Sequence, residues 1–149
     1  MFASILALLL LKGFGRPQPN ASSSLVTSRH ITVQLVNGKS GLPVWWLGSP
    51  YVYVGSSNEP IKRRTNLAGE ETIDVTSADQ LTIRVWVDFI DKDCRSKDLS
   101  RVTETYSLTE ILKNGVVSSN YCGSSRKDPE PGVLVIYVTP STFKQLWNQ

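Results

Sequence analysis

Two cysteines, one histidine and a scatter of carboxylates are the residues of this chain equipped for metal binding or catalysis. Cys94 lies in DKDCRSKD and Cys122 in NYCGSS, a separation far wider than the Cys-x-x-Cys spacing of a redox pair. Structural zinc takes four Cys or His ligands, and His30 is the single histidine available beside the two cysteines. A disulfide, two free thiols and a reactive cysteine remain, and an even pair in an exported chain favours the disulfide. Closing a loop of about 29 residues would stabilise the fold by roughly 3–4 kcal/mol in the chain-entropy model. A Ser-His-Asp arrangement would have to recruit His30, and the chain has no Gly-x-Ser-x-Gly elbow to present a serine. Asp88, Asp91, Asp93 and Asp98 crowd one segment with calcium-type oxygens. Their order departs from Asp-x-Asp-x-Asp-Gly, and Lys92, Arg95 and Lys97 offset their charge, so a solvated loop is expected there. Nothing in the spacing sets two carboxylates across a cleft as glycoside hydrolysis requires. The chain therefore reads as non-enzymatic, with no metal and no cofactor.

Aromatic residues offer a different chemistry. Trp45, Trp46, Tyr51, Tyr53 and Trp86 fall on or beside extended segments. Neighbouring tryptophans in a strand point to opposite faces, which sends at least one toward solvent or under a loop. Rings gathered on one sheet face would make a platform for a sugar or a partner protein; the alternative is that they close the ends of a small core.

The elements that would carry these residues follow from periodicity. In residues 30–36, HITVQLV, Ile31, Val33 and Leu35 alternate with Thr32 and Gln34, as a half-buried strand requires. YVYVG, ETIDV and LTIRVWVDF repeat the pattern; in the last, Leu81, Ile83, Val85 and Val87 share one face, and Thr82, Arg84, Trp86 and Asp88 the other. VLVIYV, residues 133–138, is apolar throughout and suits a sheet centre. IKRRT, from Ile61, reads as a short edge strand whose positive side chains discourage pairing between subunits. One helix is expected in ETYSLTEILKNG, where Ser107 and Glu110 form a capping box and Gly115 stops the chain. A final helical turn is expected from Ser141. The predicted class is all-β: a seven-stranded, Ig-like β-sandwich with one short inserted helix and a short C-terminal helical turn.

Length and charge set the frame. The 149 residues suffice for one domain, and 40% hydrophobic with 19% charged residues exclude a disordered tail or a membrane bundle. Sixteen basic against 13 acidic residues give a net charge of +3, spread along the chain, too little to point to nucleic acid. Residues 5–11 are apolar, far short of the roughly 20 needed to span a bilayer. With Gly13 and Gly15 behind them they read as a secretory signal, although Lys12 departs from the usual pattern. The expected organisation is a signal-like segment at 1–15, a linker at 16–28 and the domain at 29–149, secreted or periplasmic, with no membrane span in the mature chain.

Two turns carry a resemblance. Asn37, Gly38, Ser40, Gly41, Pro43 and Val44, followed by Thr65, Asn66 and Gly69, resemble the opening of carboxypeptidase regulatory-like and transthyretin-like (prealbumin-like) sandwich domains. The region alike is roughly 31–87. The later part, YSLTEILKNGVVSSNYCG and PGVLVIYVTPSTFKQLW, is similar to secreted or cell-envelope proteins of soil bacteria with that domain type and no assigned activity. The resemblance implies an accessory module that docks, displays or stabilises a neighbour. The functional expectation is a non-enzymatic interaction or structural module of the cell envelope. The alternative is carbohydrate or small-ligand binding through the five aromatics.

Overall fold

The computed structural model describes residues 29–44, 50–62, 65–75, 80–84 and 90–141. The signal-like segment, the linker, Trp45, Trp46, Trp86, Asp88 and the helical turn expected after Ser141 lie outside the described residues. Those described fold as an all-β unit of two sheets with one helix.

The first sheet follows the order β4-β1-β9-β6: β4 (Glu70–Asp74), β1 (His30–Asn37), β9 (Val133–Pro140) and β6 (Ile90–Asp93). The short β8 (Val116–Val117) also pairs with β9. β1 runs antiparallel to β4 and parallel to β9. Since β1 occupies one edge of β9, β6 and β8 must share the other: β8 pairs at Leu134 and Val135, β6 at Val138 to Pro140. The second sheet runs β3-β2-β5-β7, through β3 (Ile61–Lys62), β2 (Tyr51–Val54), β5 (Gln80–Arg84) and β7 (Thr103–Ser107), each pair antiparallel.

Period-2 alternation delivers one shared core. Ile31, Val33 and Leu35 of β1, Leu134, Ile136 and Val138 of β9, Val52 of β2 and Leu81 and Ile83 of β5 all fall in a single buried cluster. The unbroken apolar run of β9 has a second cause: its opposite face, Val135 and Tyr137, is also covered, packing with Val36 and Cys94. The helix α1 (Leu108–Asn114) sits where expected, with Ser107 accepting from the Glu110 N–H and Leu108 and Ile111 buried. The N–H of Gly115 closes it on the Ile111 carbonyl. No helix among the described residues is long and apolar enough to cross a membrane.

Against the expected seven strands, the described residues form nine, two of them only two residues long. The sequence pattern contains β1, β2, β3, β4, β5 and β9. It does not reveal β6 and β7, because IDKD and TETYS carry no apolar alternation and are held by partners rather than by their own faces.

The two motif turns stack on each other. The Asn37 side chain accepts from the N–H groups of Lys39 and Ser40, and the Asn66 side chain from those of Ala68 and Glu70. The N–H of Leu35 reaches the Gly69 carbonyl at 2.8 Å, and the Thr65 hydroxyl donates to the Val44 carbonyl at 3.0 Å. Gly69, at φ +74°, is irreplaceable on both counts: a β-carbon would stand 2.6 Å from the Leu35 oxygen.

Candidate functional site

Of the five predicted aromatic site residues, Tyr51 and Tyr53 lie in the described part; Trp45, Trp46 and Trp86 do not. Both tyrosines are half-buried and, two apart on β2, share the outer face of the four-stranded sheet. Cross-strand register extends them into two rows. Tyr51 stands opposite Arg84 and Arg84 opposite Thr103, while Tyr53 stands opposite Thr82 and Thr82 opposite Thr105. The rows are tied by hydrogen bonds, Thr82 to Thr105 between hydroxyls at 2.9 Å and Arg84 Nε donating to the Thr103 hydroxyl at 3.3 Å. The turn after β2 rises beside them and leaves a cleft of about 300 Å³ lined by Tyr53, Gly55, Ser56, Ser57, Asn58, Thr82, Arg84 and Thr103. This surface combines an aromatic ring, a guanidinium and several hydroxyls, a donor and acceptor set suited to polyhydroxylated or polar partners. His30 is exposed at the start of β1 and does not line this cleft.

The cysteines are joined: Cys94 and Cys122 form a disulfide, with Cα atoms 5.2 Å apart, and no free cysteine remains among the described residues. The bond pins the NYCGSS loop over the outer face of β9. Asn120 completes the clamp, donating to the carbonyls of Gly38 and Ser125, both at 2.9 Å, and accepting from the Cys122 N–H. Gly38 lies so close under the loop that a β-carbon there would meet Asn120 Oδ1 at 2.5 Å and Cys94 Sγ at 3.0 Å. The first motif turn and the stapled loop are thus one packed unit.

The acidic segment departs from the solvated loop expected of it. Asp91 is exposed, but Asp93 is fully buried and gripped by Arg95, Nε to Oδ1 at 3.0 Å and Nη2 to Oδ2 at 2.8 Å. The carboxylate also accepts from the main-chain N–H groups of Arg95 and Val102. The guanidinium in turn donates to the carbonyls of Ile83 and Val102 and to the Tyr106 hydroxyl. Arg95 therefore joins β6 of the first sheet to β5 and β7 of the second. Burial alone would favour its neutral form; the hydrogen bonds to Asp93 and Tyr106 outweigh this and raise its pKa. Burial likewise pushes the Tyr106 hydroxyl well above the ordinary tyrosine range, and that hydroxyl donates to Glu104. The signal for the pair was the spacing: an Asp two residues before an Arg, where β6 ends and the chain turns, lets the guanidinium fold back onto the carboxylate. Asp98 remains exposed, and hydrogen bonds from Ser96 and Ser100 lower its pKa to about 2. Among the described residues no cluster of three metal-ligating side chains occurs.

Neither protein-family models nor curated proteins give a match to this sequence.

Proposed function

We propose that this chain is a non-catalytic, exported interaction module that meets its partner through the outer face of the four-stranded sheet. The observation behind it is the pair of cross-strand rows, Tyr51-Arg84-Thr103 and Tyr53-Thr82-Thr105, beside the 300 Å³ cleft. The other sheet has its outer face at Val135 and Tyr137 covered by the stapled loop, so the tyrosine face is the broader one left for contact. Export, to the bacterial periplasm or beyond, is supported by the Cys94–Cys122 bond, which suits an oxidising compartment, and by the apolar run at 5–11. The fold half of the proposal is a transthyretin-like sandwich. It draws support from the stacking of the two motif turns at Thr65, Val44, Leu35 and Gly69 and from the core shared by the two sheets.

The test is co-sedimentation with a purified bacterial envelope fraction. The double variant Tyr53→Ala/Arg84→Ala should lose at least about tenfold in affinity while its urea midpoint stays close to that of the parent protein. Equal sedimentation of the variant and the parent overturns the surface. A second reading, saccharide binding at the same cleft, is favoured by the threonine hydroxyls and Tyr53 around it. Calorimetric titration with soluble oligosaccharides separates the two, since only this reading expects heat from a sugar alone.

A further inference from the structure

The stapled loop encloses a second cleft, of about 380 Å³, whose walls are unlike those of the first. Its floor is Tyr137, turned away from the main core by the alternation of β9 and only 1% exposed. Among the described residues the Tyr137 hydroxyl has no hydrogen-bond partner of good geometry, although the Ser125 side chain and the Lys127 main chain approach it. A buried hydroxyl left without a partner carries a desolvation cost that folded proteins nearly always avoid, and such a group marks a place where something else supplies the bond. Ser118 and Asn120, also in the wall, are already engaged: Ser118 accepts from the Tyr137 N–H and donates to the Ser119 carbonyl, and Asn120 spans the loop. The groups left to meet a ligand are the Tyr137 hydroxyl, the hydroxyls of Ser124 and Ser125, and the cations Arg126 and Lys127 at the rim.

We propose that this cleft binds a small organic oxyanion, its charged group held between Arg126, Lys127 and the Tyr137 hydroxyl. Among the described residues no acidic side chain lines the cleft; Asp128 follows Lys127 in the chain but is not part of the wall. Guanidinium and ammonium groups next to hydroxyl donors are the set that recognises phosphate or carboxylate oxygens. The volume exceeds what a bare inorganic ion would fill and falls at the small end of organic-ligand pockets, about 300–1,000 Å³. The loop is preorganised, since the disulfide and Asn120 fix its course, and little ordering entropy is left for binding to oppose. This site is separate from the tyrosine face, and either can fail without the other.

The experiment is a ¹⁵N–¹H titration of the intact oxidised protein with glycerol phosphate, with gluconate and with uncharged glycerol. Shifts confined to the amides of residues 123–127, with glycerol phosphate or gluconate and not with glycerol, are expected; the stronger anion assigns the phosphate or the carboxylate class. Arg126→Ala/Lys127→Ala, both exposed, should weaken binding by about tenfold or more. Tyr137→Phe should weaken it by several fold while leaving the urea midpoint close to that of the parent, because the hydroxyl it removes makes no internal bond of good geometry. No shift at these amides up to about 10 mM of either anion, or unaltered affinity in the Arg126→Ala/Lys127→Ala variant, overturns the proposal.

Discussion

Replacing Arg95 by methionine keeps most of the side-chain volume and removes the guanidinium that joins the two sheets. Asp93, fully buried, would keep only the N–H groups of Arg95 and Val102, both at 3.1 Å, of the four donors that now surround it. The carbonyls of Ile83 and Val102 would lose the donors that reach them at 3.3 and 2.8 Å. Breaking a buried ion pair from one side costs about 3–5 kcal/mol, because the survivor is an uncompensated charge. The two remaining main-chain donors place this case near the lower end, about 3 kcal/mol. The contact of Arg95 with Glu104, at 3.6 Å, adds little, since Glu104 is 47% exposed and screened by water. With a urea m-value of about 2 kcal/mol/M, the midpoint should fall by about 1.5 M at unchanged m. Asp93→Asn/Arg95→Met removes both charges and should recover a good part of that loss, giving a coupling of about 2 kcal/mol in the double-mutant cycle. A loss below about 1 kcal/mol for Arg95→Met, or additive single effects, would refute the reasoning by showing that the pair is solvated.

Removal of the Cys94–Cys122 bond by double substitution to alanine should cost about 3–4 kcal/mol in the same urea assay, from the loop it closes. Two titratable thiols in protein denatured without reductant would show instead that the bond does not form. The Asp98 carboxyl should titrate at about 2 by carbon-detected NMR, and Ser96→Ala/Ser100→Ala should return it toward about 3.9. Because its folded pKa is the lower one, Asp98 stabilises the fold fully above the unfolded value near 3.9, and that contribution is lost as the pH falls toward 2.

How much of this was legible in the sequence depended on whether a segment is held by its own pattern or by its neighbours. β1, β5 and β9 announce themselves by apolar period, and α1 by Ser107 and Gly115, because local chemistry alone suffices to form them. The turns at Asn37 and Asn66 were equally plain, since an Asx side chain and a glycine dictate them. β7 was hidden: of its five residues only Tyr106 is buried, and the strand exists because β5 offers it an edge. The acidic segment misled for the same reason. Charge composition says solvent, yet Asp93 and Arg95 neutralise each other and enter the interior as a pair. The cleft at Tyr137 left no mark in the sequence at all, because its walls come from separate segments of the chain, brought together by the disulfide, the Asn120 clamp and the bond from the Tyr137 N–H to Ser118.

The disulfide and the ion pair turn out to be a single device. Asp93, Cys94 and Arg95 are consecutive at the end of β6, and as the chain enters the turn the two charged side chains go to one side of the backbone and the sulfur to the other. On one side the guanidinium reaches Ile83 and Tyr106 of the second sheet; on the other the sulfur packs with Val36, Val135 and Tyr137 and holds the loop. The register that permits both is set just before, where the pairing of β6 with β9 shifts between Ile90 and Lys92. Without that shift the side chains would exchange faces, presenting Cys94 to the core and two charges to the apolar floor of the loop. The irregularity in β6 therefore positions both candidate surfaces: through Arg95 it fixes the strands that carry the tyrosine face, and through Cys94 it fixes the cleft at Tyr137.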